Sequence, residues 1–209
     1  MDGEGAKPLP GRSADAANQW RSLATLLVMT APLLLRLSDH DRALMLRCAI
    51  SPGASRRSLA VWTVVTHLGG TGVSLLAAGL PLLACCALHE AARLALATVA
   101  LSHLFVQIAK RTVARRRPAK VVQCVSRVRE PDCFSFPSGH ATASMSVALV
   151  YGVAFPAWAA PLLLLALLVG FSRVRLGVHF PSDVLVGQVI AALTAAGLSA
   201  LKVAHSLLA

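Results

Sequence analysis

Residues 161–171 read PLLLLALLVGF, residues 172–182 read SRVRLGVHFPS, and residues 183–203 read DVLVGQVIAALTAAGLSALKV. Two apolar runs are thus joined by one short polar stretch. A helix of about 18 or more apolar residues is long enough to cross the hydrocarbon core of a bilayer. The same alternation runs back through the chain. Earlier apolar runs cover Trp20 to Leu35, Leu59 to Leu88, Ala91 to Ile108 and Ala141 to Phe155, and the later spans are read as Pro161 to Phe171 and Asp183 to Val203. Pro156 to Pro161 reads as the turn between two of them, with Trp158 where an interfacial aromatic belongs. The fold expected is all-α, a polytopic membrane helical bundle of about six transmembrane helices, or five if the first run lies on the surface.

Composition agrees. Of 209 residues, 56% are hydrophobic and 14% charged, against about 25% charged in an average soluble domain. Residues 1–18 are polar and glycine- and proline-bearing, a leader without an apolar core, which leaves residues 19–209 as one integral membrane domain. Residues 36–58 read as an interfacial loop or short helix. Gly69, Gly70 and Gly72 suit close helix packing in the second span, where His67 reads as a packed hydrogen-bonding group. The net charge of +11 does not imply nucleic acid, because aromatics are only 5% and no soluble basic face is present. Basic residues between spans set topology or meet anionic headgroups. No two of the five cysteines have a CxxC spacing. Cys124 and Cys133 share a polar loop and could pair in an oxidising compartment, but are expected as free thiols.

Three polar clusters interrupt the apolar pattern, each at the end of a span: Lys110-x6-Arg117-Pro118, Pro137-Ser138-Gly139-His140, and Ser172-Arg173-x5-His179-x3-Asp183. An even number of crossings separates them, so all three lie at one membrane face and can form one site. Lys110, Arg117 and Arg173 are cations suited to a phosphate. Ser138 and Gly139 stand where a loop enters a helix, and free backbone N–H groups there make an anion site. His140 and His179 suit one nucleophile and one proton donor. Asp183, four residues after His179, can hold that ring in one tautomer. Arg111, Arg115, Arg116, Lys120, Arg127 and Arg129 belong to no signature and read as solvated or headgroup-facing charges, as does Arg175 at a variable position within the third.

These clusters resemble the three signatures KxxxxxxRP, PSGH and SRxxxxxHxxxD of the type 2 phosphatidic acid phosphatase superfamily, without a substitution and in the same order. The resemblance covers residues 110–183. It implies a metal-independent, cofactor-free lipid phosphatase, acting on an isoprenoid diphosphate such as undecaprenyl diphosphate, on phosphatidic acid or on phosphatidylglycerol phosphate. In it His179 attacks phosphorus, Asp183 orients it and His140 serves as acid and then base. Lys110, Arg117, Ser138, Gly139 and Arg173 hold the phosphoryl oxygens. A phosphotransferase would use the same residues, and a non-catalytic membrane scaffold is the reading of another class. The partners expected are a lipid phosphate and the bilayer, not nucleic acid; oligomeric state is not legible.

Sidedness draws two arguments. Fifteen of the twenty lysines and arginines lie on site-side segments, which by the positive-inside rule points to the cytoplasm. Bacterial members of the family are thought to work on the outer face of the plasma membrane, and a substrate site rich in cations weakens the rule. An extracytoplasmic site in a bacterial plasma membrane is the expectation taken.

Overall fold

The computed structural model describes residues 38–51, 53–83, 88–122, 124–130 and 132–208. The polar leader, the run Trp20 to Leu35 and Cys85 and Cys86 lie outside the described residues. The chain divides into two units, Met1–His40 and Asp41–Ala209. Of the first, only residues 38–40 are described, and they are helical. The second carries α1 (residues 41–48), α2 (Arg56–Leu68), α3 (Thr71–Gly79), α4 (His89–Val113), α5 (Gly139–Ala154), α6 (Pro156–Arg175) and α7 (Pro181–Leu208). No β-strand forms among the described residues, beyond an isolated bridge between Arg116 and Phe134.

Polarity is distributed as a bilayer requires. Small residues fill the interior, including Ala92, Ala95, Ala141, Ala166 and Ala191, while Leu104, Leu164, Leu185 and Leu193 are exposed. In lipid, large aliphatic side chains gain nothing by turning inward, and small ones let helices approach closely. Buried hydroxyls then bond across helices, as Ser102 of α4 does with Ser146 of α5 at 3.0 Å. Tyr151 of α5 donates to the Ala78 carbonyl of α3 at 2.8 Å. The chain is an integral membrane helical bundle.

Among the described residues, His89–Val113, Pro156–Arg175 and Pro181–Ser206 are each long and apolar enough to cross a membrane. The second expected span is two helices, Arg56–Leu68 and Thr71–Leu83, bent by 51°. Gly69 and Gly70 cap the first and start the second, so these glycines break the helix as well as permitting close packing. The expected turn from Pro156 to Pro161 is not there. Phe155 alone makes the turn, and Pro156 opens α6 at a position whose N–H would lack a helical partner. Pro161 sits inside α6, costing one backbone hydrogen bond near the helix start. Trp158, in the first turn, is exposed.

α5 packs against α3, α4, α6 and α7 but has only 16 residues, about 24 Å at 1.5 Å per residue. A Cβ on Gly139, the first residue of α5, would lie 3.9 Å from Val106 of α4. α4 continues seven residues past that level to Val113, about 10 Å. On the opposite wall, a Cβ on Gly187 of α7 would stand 2.7 Å from the Ser138 carbonyl. Six residues of α7 precede it. The N-terminus of α5 is therefore the floor of a recess, and its neighbours are the walls.

Candidate active site

Every residue of the three sequence clusters meets at this recess. Lys110 lies in the last turn of α4, which ends at Ala114 in the left-handed conformation, φ 48°. Arg117 follows in extended conformation, ahead of a 3-10 turn over Pro118–Lys120. Ser138 is the N-cap of α5, and Gly139 and His140 are its first two residues. Arg173 is in the last turn of α6, and Asp183 is in the first turn of α7. His179 lies between them, in a loop turned by Gly177 at φ 75°. A Cβ on Gly177 would stand 2.8 Å from the Val125 carbonyl, so this turn needs glycine for its backbone angle and for space.

His179 is 2% exposed. Its Nδ1 lies 3.5 Å from Asp183 Oδ2, long for a hydrogen bond, and makes no other bond to a described residue. Its Nε2 faces Arg117 Nη1 at 3.5 Å. Burial holds the imidazole down to about pKa 4, against the opposing pull of Asp183. The ring is neutral at physiological pH, with one nitrogen toward the Asp183 carboxylate and the other toward the Arg117 guanidinium. That is the arrangement a nucleophilic histidine needs.

Asp183 is fully buried. Oδ2 accepts the Phe180 N–H at 2.9 Å, and Oδ1 accepts from Arg115 Nη1 at 2.7 Å. The sequence reading set Arg115 aside as a headgroup-facing charge, and here the structure corrects it. Arg115 also reaches Asp41 Oδ2 at 2.7 Å and Ser182 Oγ at 2.8 Å, and its guanidinium lies 4.0 Å over the Phe180 ring. Asp41 in turn accepts from the Ser182 N–H at 2.9 Å. Arg175 is likewise structural, donating to the Cys48 carbonyl at 3.0 Å.

The cations are arranged around unfilled valences. Arg117 is fully buried and donates to the Val178 and Asp132 carbonyls and to Asp132 Oδ1. Lys110 Nζ is 2.5 Å from Asp132 Oδ2. Asp132 therefore bridges two of the three cations expected to hold phosphate. Burial opposes its ionisation, but the Lys110 hydrogen bond and charge and then the Arg117 charge outweigh that and hold its carboxyl below the ordinary value. Arg173 is 2% exposed, with Nη1 on Thr66 Oγ1 at 2.7 Å and Nε unpartnered among the described residues. Ser138 Oγ is buried without a partner there too. His140 and Arg173 both line a cavity of about 230 Å³. Among the described residues no group of three or more His, Cys, Asp and Glu side chains could hold a metal ion. Cys124 and Cys133 are both free thiols.

The family model described as the PAP2 superfamily matches residues 91–205. The chain belongs to the PAP2 superfamily. Within it, the chain is 40% identical over 92 residues to the decaprenylphosphoryl-5-phosphoribose phosphatase of Mycobacterium tuberculosis, which is 44% of this chain and 50% of that protein. This PAP2 chain thus matches about half the length of that curated relative. Its structure is similar to that of Aquifex aeolicus LpxE, with TM-score 0.62 and 26% identity over 72% of this chain and 88% of that one. The fold is also that of a transmembrane PAP2 type phosphatidylglycerolphosphate phosphatase from Bacillus subtilis, with TM-score 0.66 and 24% identity, covering 87% and 94% of the two chains.

Proposed function

We propose that the chain is a lipid phosphatase that works through a phosphohistidine. The observation carrying this is the buried His179, neutral, with Asp183 on one nitrogen and Arg117 beside the other. Nε2 attacks phosphorus, the bond from phosphorus to the leaving oxygen breaks, and His140 gives that oxygen a proton. Asp183 stabilises the cationic phosphoimidazole. His140, now a base, takes a proton from water, whose oxygen attacks phosphorus and releases orthophosphate and free His179. Lys110, Arg117, Arg173, the Ser138 hydroxyl and the backbone N–H groups at Gly139 and His140 hold the phosphoryl oxygens as charge redistributes.

The substrate is a lipid carrying a terminal phosphate or diphosphate at headgroup level. The prenyl-linked substrate in the mycobacterial relative's name supports an isoprenoid carrier. Residues 19–209 act as one domain in a bacterial plasma membrane, with the site outside the cytoplasm. In detergent micelles, phosphatidic acid or undecaprenyl diphosphate should release orthophosphate without an added acceptor, which separates hydrolysis from phosphotransfer. Vanadate should inhibit, and His179→Ala should abolish release; full activity in that variant would overturn the mechanism. An impermeant thiol reagent on intact cells tests the face through the exposed Cys133. Protection of Cys133 until the membrane is opened would move the site to the cytoplasm.

A further inference from the structure

The signatures account for the phosphate that is cut but leave the rest of the substrate unread. We propose that Arg129 and His67 form a second anion subsite beside His140, so that the lipid carries another phosphate on the leaving side of the cut bond. This rests on the phosphatase reading above and specifies its substrate class.

The cavity that His140 lines is bordered by Thr66, His67, Val128, Arg129 and Arg173 as well. Its volume of about 230 Å³ far exceeds the ~30 Å³ share of one water. The oxygen that His140 protonates carries the rest of the lipid, so the leaving group is expected beside the cavity that His140 lines. Arg129 makes no hydrogen bond or ion pair with a described residue. The two acids of its loop face other cations: Asp132 bridges Lys110 and Arg117, and Glu130 Oε2 lies 3.9 Å from Arg117. Arg129 is exposed, so its guanidinium borders the cavity from the solvent side, opposite the buried Arg173, and is placed to pair with an anion that enters between them.

The subsite is also held in place. Ser126 Oγ donates to the Val128 carbonyl at 2.8 Å, and the Arg127 N–H donates to the Leu176 carbonyl at 3.0 Å. Arg129 is thus presented by a segment pinned to the loop that carries His179. His67 Nδ1 lies 2.6 Å from the Thr63 carbonyl, which can only accept, so Nδ1 carries the proton. Nε2 is the ring's remaining hydrogen-bonding atom, an acceptor for the O–H of a singly protonated phosphate.

The test compares two probes in the same detergent. Phosphatidic acid leaves as neutral diacylglycerol, and undecaprenyl diphosphate leaves as an anionic monophosphate. Arg129→Ala should lower kcat/KM for the diphosphate about ten- to a hundredfold, the loss of one charge-assisted bond, and change that for phosphatidic acid less than about threefold. Arg129→Lys should recover part of the loss, and His67→Gln should fall with the same selectivity. Equal losses on both probes, or none on the diphosphate, would sink the subsite while leaving the phosphatase reading intact. A parent protein that releases phosphate from neither probe would overturn both.

Discussion

Replacing Arg115 by alanine should cost turnover without touching the reacting atoms. Asp183 is fully buried, and its two oxygens are differently employed. Oδ1 is tied to Arg115 at 2.7 Å, which leaves Oδ2 for the Phe180 N–H at 2.9 Å and for His179 Nδ1 at 3.5 Å. Without Arg115 the carboxylate loses its strongest donor, a charge-assisted hydrogen bond worth about 1.5–3 kcal/mol. Asp41 and Ser182 lose their shared partner as well. If the loss falls on the transition state, in which His179 becomes cationic, kcat drops about ten- to a hundredfold at 1.36 kcal/mol per decade. KM should barely move, because Arg115 does not touch the phosphate site. Arg115→Lys keeps the charge but cannot reach Asp41, Ser182 and Asp183 at once, so it should fall between. Asp41→Asn should shift kcat the same way and by less. The assay is phosphate release against lipid concentration in micelles, with thermal melting to establish folding. A folded Arg115→Ala protein with parental kcat, or one changed only in KM, would refute the reasoning.

Other perturbations follow from the same geometry. Asp132→Asn removes the carboxylate that competes with phosphate for Lys110 and Arg117; orthophosphate should inhibit this variant about tenfold more tightly, and an unchanged or weaker inhibition constant would show that Asp132 is not a competitor. Gly177→Ala forces φ 75° on a residue with a Cβ and drives it against the Val125 carbonyl, so activity should be lost with a melting temperature lowered by a few degrees, and a parental melting curve counts against the strain. His179 titrates near 4 when folded and near 6.5 unfolded. The unfolded chain therefore binds more protons between those values, and stability is lost as pH falls through that window. His179→Gln should flatten the decline of melting temperature from pH 6.5 to 4.5; an identical slope in the variant would contradict the shift.

Residues whose chemistry is set by local spacing were legible before any fold was known. His179 and Asp183 are four apart on one chain segment, and the alternation of spans is enough to bring Lys110, His140 and Arg173 to the same face. Residues whose partners are distant in sequence were not. Arg115 sits in a run of arginines, with nothing to distinguish it from Arg116, and its partner Asp41 is 74 positions away. Thr66 meets Arg173 across 107 positions. Asp132 stands outside the three clusters in sequence, although two cations seven residues apart call for a counter-charge. Two prolines suggest a turn over Pro156 to Pro161, because proline disfavours a helix interior; at the first helical position the missing N–H costs nothing. Gly69 and Gly70 signalled close packing, and they also break the helix where it meets α5 and α6.

The shortness of α5 has a stereochemical consequence. Its N-terminus lies about 10 Å below the end of α4, so phosphorus must descend between helix walls to reach the backbone N–H groups at Gly139 and His140. A phosphate esterified once can enter end-on, with its substituent trailing out past His140. A phosphate esterified on both sides would have to drive a second chain into the floor. On the phosphatase reading proposed above, the depth of this recess admits terminal phosphates and excludes the phosphodiesters of the surrounding bilayer, so membrane lipids present in vast excess should be neither substrates nor effective inhibitors.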